Sequence, residues 1–154
     1  MARIEQSIEV NVPVNTAYNQ WTQFEEFPKF MEGVKHIRQL DDKTLEWTGQ
    51  IGGNEETWTT EIYEQEPDQR IAWRSVSGTR TGGVVTFEEV DQNTTRVTLR
   101  MDWEPEGAIE EAGSALGFDD RRVQADLERF KEYIESRGVE TGAWRGEIKQ
   151  GSVR

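Results

Sequence analysis

Apolar and polar residues alternate over the first dozen positions. Ile4, Ile8, Val10 and Val12 share one parity with Gln6, and Glu5, Ser7, Glu9 and Asn11 share the other. A period of two predicts a half-buried strand, which Pro13 ends. The period then lengthens. Ala17, Tyr18 and Trp21, with Phe24 after them, fall at helical spacing behind Asn15 or Thr16 as N-cap. Phe24, Phe27, Phe30 and Met31, interrupted by Pro28, predict a second short helix or turn.

From Val34 the alternation of a strand returns and repeats. Val34 to Leu40 leads into the turn Asp41-Asp42-Lys43, and Leu45, Trp47, Gly49 and Ile51 then share a face. Gly52-Gly53-Asn54 is a hairpin signal, and Trp58, Thr60 and Ile62 face one way on the return strand. Glu66-Pro67-Asp68 turns the chain into Ile71, Trp73 and Ser75, closed by Gly78. Gly82-Gly83 begins a strand carrying Val85 and Phe87, and Asp91-Gln92-Asn93 turns it into Val97, Leu99, Met101 and Trp103. Turns this short join adjacent antiparallel strands, since parallel pairs need long crossovers.

Beyond Glu104-Pro105-Glu106-Gly107, the residues Ala108, Ile109, Ala112 and Leu116 have helical spacing but are interrupted by Gly113 and Gly117. Glycine lowers helix stability by ~1 kcal/mol relative to alanine, so Gly107, Gly113 and Gly117 mark either a gate or a simple bend between helical pieces. A long helix is expected from Asp119-Asp120 to Gly138, with the apolar stripe Val123, Leu127, Phe130 and Ile134. Residues 1–138 form the expected domain, and residues 139–154, polar except for Trp144, a loosely held tail.

One amphipathic helix and one half-apolar sheet must bury their faces on each other. A seven-stranded sheet is too wide for one helix to cover unless twist curls it around that helix. The expectation is therefore an α+β helix-grip architecture: a curved seven-stranded antiparallel sheet around a long C-terminal helix, with two short helices between the first two strands. Trp47, Trp58, Trp73, Phe87, Met101 and Trp103 then point inward, facing Leu127 and Phe130. These side chains either fill the interior solid or line a pocket.

Composition narrows the partners. The 154 residues carry 30 acids against 18 bases, a net charge of −12. Nucleic acid is not an expected partner, because phosphate contact relies on basic patches, and an anionic membrane surface would repel such a chain. The acidity fits a high-salt cytoplasm or an acidic solvated face. No run of about 20 apolar residues is present, so integral membrane association is not expected. The N-terminus lacks a signal-peptide pattern, and there is no cysteine; a cytoplasmic address is expected.

Particular residues now add to the element order. They are the Ile4-to-Val12 strand with Pro13, Trp21…Phe27-Pro28-Lys29-Phe30-Met31, and Ile71-Ala72-Trp73-Arg74-Ser75…Gly78. Gly83-Val84-Val85-Thr86-Phe87, Thr94-Thr95-Arg96-Val97 and Asp126-Leu127…Phe130-Lys131 complete the set. On these residues the chain resembles the polyketide cyclase/dehydrase and lipid-transport family of the START-like (Bet v 1-like, SRPBCC) superfamily, over about residues 2–138. The resemblance implies a helix-grip fold with a hydrophobic cavity, and it does not by itself imply cyclase activity.

Chemistry-bearing motifs are sparse. His36 is the only histidine and has no partner at metal-ligand spacing, so neither a metal nor a cofactor is expected, and no catalytic residue is assigned. Adjacent pairs such as Glu88-Glu89 face opposite ways on a strand and make poor acid/base dyads. Arg74 and Arg100 point away from the Trp73 and Met101 face by alternation, unless a β-bulge turns them inward. Tyr18, Tyr63 and Tyr133 each offer a phenol, and spacing selects none. The leading expectation is binding or transport of a small hydrophobic molecule: a lipid, a quinone or a polyketide-like aromatic. A polyketide aromatase/cyclase-type enzyme and a protein-interaction or stress-associated module are the alternatives.

Overall fold

The computed structural model describes residues 2–31, 33–51, 54–78, 80–103 and 120–153. Strand β1 (Ala2–Val10) is followed by helix α1 (Val14–Trp21) and a 3-10 turn (Phe24–Lys29). Strands β2 (Val34–Gln39), β3 (Thr44–Ile51), β4 (Asn54–Glu66), β5 (Arg70–Ser77), β6 (Thr81–Asp91) and β7 (Thr94–Trp103) come next. Helix α2 (Asp120–Arg137) and the short strands β8 (Ile148–Lys149) and β9 (Ser152–Val153) complete the described elements.

The sheet runs β1-β7-β6-β5-β4-β3-β2, antiparallel at every step. The turn chemistry behaves as the sequence suggests. Asp41 Oδ1 accepts from the Lys43 and Thr44 amides at 2.9 and 2.8 Å, and Asp91 Oδ1 accepts from the Asn93 amide at 2.9 Å. Register shifts between Thr59 and Thr60 and between Ile62 and Glu64 bulge β4 against β5. Bulges bend a strand and increase its twist, so the longest strand helps to curl the sheet, as do the register shifts at Val34/His36 in β2 and Glu89/Asp91 in β6.

Helix α2 lies across the concave side. Val123, Leu127, Phe130 and Ile134, the stripe expected from the spacing, are all buried. Lys131 Nζ donates to the Glu9 carbonyl at 2.9 Å, and the Asn11 amide donates to Glu135 at 2.7 Å, tying the helix to the end of β1. Gly138 ends the helix at φ +74, donating its amide to the Ile134 carbonyl at 2.9 Å. The fold is thus the expected α+β helix-grip architecture.

Two expectations need correction. Among the described residues the sheet has nine strands, because the C-terminal segment adds β8 and β9 to the seven long ones. That segment is also not loosely held. Strand β3 covers β4 only as far as Thr44 opposite Glu61, leaving the far end of β4 without a partner on that side. Strand β8 takes the vacant edge, pairing Gln65 with Ile148 and Glu64 with Lys149. An open strand edge exposes unpaired N–H and C=O groups, and here the chain's own tail closes it.

The tail is latched elsewhere too. Gln20 Oε1 accepts from the Thr141 amide at 2.9 Å and Gln20 Nε2 donates to the Thr141 hydroxyl at 3.1 Å. Arg145 donates to Asn19 at 2.6 Å and to Asp68 at 2.8 Å. Ile148 is fully buried. Deleting a buried isoleucine side chain costs about 2–5 kcal/mol. Ile148→Ala is therefore expected to lower stability by about 2–4 kcal/mol in urea unfolding, whereas a tail that merely lay on the surface would leave the midpoint unmoved.

Candidate functional site in the apolar interior

The interior divides into a filled end and a looser end. Trp21, at the C-terminus of α1, is the hub of the filled end. Its ring lies 4.9 Å from that of Phe130, 5.4 Å from Phe27, 6.1 Å from Phe30 and 6.3 Å from Phe87. Three of these are edge-on contacts, the favoured geometry for aromatic pairs.

The looser end is built on two cross-strand rows. Trp47 on β3 stands directly opposite Trp58 on β4, with rings stacked at 6.0 Å and 11°. Trp47 Nε1 donates to Thr60 Oγ1 at 2.7 Å, so its polar atom is satisfied inside the wall. In the second row Ile62, Trp73, Gly83, Met101 and Ile4 face one another across five strands. Gly83 makes that row fit. A Cβ there would sit 2.6 Å from Trp73 Cζ2, so the missing side chain lets the indole lie over β6.

Between these rows and α2 is an apolar cavity of about 40 Å3. Trp47, Trp73, Leu99 and Met101 form its sheet wall, and Val123 and Asp126 its helix wall. Met31, Gly33 and Val34, on the connection into β2, close a third side. Asp126 brings a charge to this lining; it is ion-paired with Arg129, whose Nε donates to the Phe30 carbonyl at 3.0 Å. A second apolar gap, among Phe24, Phe27, Leu45, Trp47, Ile62 and Trp73, is too tight for a water molecule.

The residues expected to form a cavity therefore separate. Trp47, Trp73 and Met101 line the 40 Å3 space. Trp58, Phe87, Leu127 and Phe130 are buried: Trp58 backs Trp47, and Phe87 and Phe130 belong to the filled end. Trp103 ends β7 opposite Ala2, and its side chain lies outside the described residues, as do Gly107, Gly113 and Gly117. His36 is exposed on the edge strand β2.

Of the three phenols, the fold selects Tyr18 for burial. Its hydroxyl accepts from Gln65 Nε2 at 3.0 Å, and Arg145 lies over its ring at 5.5 Å. Gln65 was hidden from the sequence pattern because Glu64 would continue the inward parity of Ile62. The bulge between Ile62 and Glu64 shifts the parity by one residue. Tyr133 instead donates to Glu26 at 3.1 Å, and Tyr63 meets the guanidinium of Arg74 at 5.2 Å.

A curved antiparallel sheet closed by a C-terminal helix over an aromatic interior defines the helix-grip class. The chain belongs to the family described as polyketide cyclase / dehydrase and lipid transport, whose model matches residues 10–132. A 17.2 kDa protein of Streptomyces lincolnensis is 50% identical over 149 residues, covering 96% of this chain and 99% of that protein. Among solved structures, the Zhui aromatase/cyclase from a Streptomyces species superposes with a TM-score of 0.73 at 16% identity, covering 93% of this chain and 99% of that one. A START superfamily protein from Mycobacterium smegmatis gives 0.72 at 15% identity over 88% and 98% of the two chains. These structural likenesses establish the shared fold. No helix among the described residues is long and apolar enough to cross a membrane.

Burial also changes how Tyr18 titrates. Removal from water pushes its phenol up from 10 to about 12, against the opposing effects of the Gln65 hydrogen bond and the Arg145 charge. The folded chain holds this proton to higher pH than the unfolded chain, so the contribution is complete below pH 10 and is lost as pH rises towards 12. Urea unfolding between neutral pH and about pH 12 is expected to show Tyr18→Phe with a shallower alkaline fall than the parent, by about 2 kcal/mol at the top of the range. Parallel pH profiles for the two proteins would contradict this account.

Proposed function

We propose that the chain binds or carries a small hydrophobic molecule (a lipid, a quinone or a polyketide-like aromatic) in the space beneath α2. The supporting observation is the wall itself: two indoles, Leu99, Met101 and Val123 converge on an unfilled apolar space at one end of an otherwise close-packed interior. Ligand pockets have this apolar and aromatic character, with few polar groups. Family membership supports the same reading.

The volume adds a condition. At about 40 Å3 the space is well below the roughly 300–1,000 Å3 of ligand pockets, so occupation requires the walls to part. Met31 and Met101, flexible and unbranched, are the lining side chains best able to repack. Burying about 400 Å2 of apolar ligand surface would contribute about 10 kcal/mol before the costs of association and wall movement are subtracted.

Thermal shift and native mass spectrometry against fatty acids, quinones and polycyclic aromatics test this. At least one class is expected to raise Tm and form a one-to-one adduct. Val123→Phe, which fills the space from the helix side, should weaken that binding at least tenfold while leaving the circular dichroism spectrum intact. Silence across all three classes, or undiminished binding by Val123→Phe, rejects the interior as the site.

A polyketide cyclase-type reaction is the second reading, favoured by Asp126, the one ionisable residue on the wall among the described residues. On that reading Asp126 steers proton transfer in a chain folded against the indoles. Asp126→Asn would then abolish cyclisation of a reactive polyketone without abolishing its binding; full activity in that variant ends the reading.

A further inference from the structure

A concavity larger than the space under the helix lies elsewhere in the described structure. A cleft of about 760 Å3 lies along the β5–β6 hairpin, within the size range of small-molecule sites. Cross-strand register explains where it comes from. Glu61, Arg74, Gly82, Asp102 and Arg3 stand opposite one another on successive strands β4, β5, β6, β7 and β1, and so share a face. Direct partners in such a row normally touch through their side chains. Gly82 has none, so bare backbone separates Arg74 from Asp102 and the row is notched there.

The walls of the notch carry a consistent chemistry. On one side the Arg74 guanidinium lies over the Tyr63 ring at 5.2 Å, and among the described residues it makes no ion pair. Arg80 adds a second guanidinium to the lining, and Ser77 and Thr81 add hydroxyls. On the other side Asp102, the one carboxylate among the described lining residues, is already compensated: Arg3 Nε meets it at 2.8 Å and Arg100 Nε lies 3.6 Å away. In a chain with a net charge of −12, Arg74 gives this lining a cation held against a ring. An exposed arginine resting on an aromatic face presents both a flat surface and an anion-pairing fork.

We infer that this cleft is a second binding site, separate from the interior, for a small planar aromatic anion. The ring would lie against the bare backbone at Gly82 and beside the Tyr63–Arg74 stack, and its anionic group would pair with Arg74. Trp73 borders both spaces, but the inference does not depend on the interior proposal, since Arg74 and Gly82 are not part of that lining.

The test is nuclear magnetic resonance titration of the nitrogen-15-labelled full chain with 2-naphthoate and, separately, with its neutral counterpart 2-naphthalenemethanol. Naphthoate is expected to give saturable shifts at the amides of Gly82, Ser75 and Ser77, with affinity at least tenfold above the alcohol. Arg74→Gln, at an exposed position, should weaken naphthoate at least tenfold, with amide spectra otherwise superimposable on the parent. Three results would each overturn the inference: equal affinity for acid and alcohol, unchanged naphthoate affinity in Arg74→Gln, or shifts confined to the indole N–H groups of Trp47 and Trp73. The last would assign the anion to the interior.

Discussion

Everything in this fold is arranged around one large ring. Trp21 leaves the end of α1 and is enclosed by Phe27 and Phe30 from the 3-10 turn region, Phe87 from the sheet and Phe130 from α2. Four separate parts of the chain thus meet on a single fully buried side chain. The arrangement has a drawback: Trp21 Nε1 is buried with no hydrogen-bond partner, and an unsatisfied buried donor costs about 1–3 kcal/mol. Multiple aromatic contacts and a wholly buried indole outweigh that loss. With α2 held at this end, its first turns are positioned over Trp47, Trp73 and Met101, where the interior is less full.

Much of this was legible in the sequence because two periodicities dominate it. The period-two strands placed Trp47, Trp58, Trp73 and Phe87 inside, and the structure buries all four. The four-three-four spacing of Val123, Leu127, Phe130 and Ile134 gave the buried face of α2. Alternation also placed Arg74 on the face away from Trp73, where the structure sets it opposite Gly82. What alternation cannot carry is a change of parity. The bulge before Glu64 turned Gln65 inward and made it the partner of Tyr18. Nor could it show that β4 outruns β3, and for that reason Ile148 read as part of a polar tail. The size of the space under α2 was equally invisible, because it depends on how rings tilt, as Trp73 does over the bare backbone of Gly83.

The distribution of charge has its own logic. Exposed strand faces carry cross-strand pairs: Arg96 bridges Glu9 and Glu88 at 3.0 and 2.8 Å, and Arg70 meets Glu64 at 2.7 Å. Such exposed pairs are each worth little. They distribute many of the few bases among the many acids, however, which makes an arginine held against a ring instead of a carboxylate conspicuous. Arg74 over Tyr63 is such a case, whereas Arg145 meets the Tyr18 ring and a carboxylate at once. The latter is anchored by Asp68 and Asn19, and it fastens the C-terminal segment across the body of the domain.

That fastening has a bearing on biosynthesis. Strand β4 is translated in the first half of the chain, yet the strand that seals its last residues begins at Ile148. A nascent polypeptide emerging from the ribosome can pair β4 with β3 and then β5, but the edge at Glu64 and Gln65 stays open until the distal residues follow. During that interval any other extended peptide could compete for the same hydrogen-bonding groups, so rapid delivery of the C-terminus is a safeguard against wrong pairing as well as a final step of assembly.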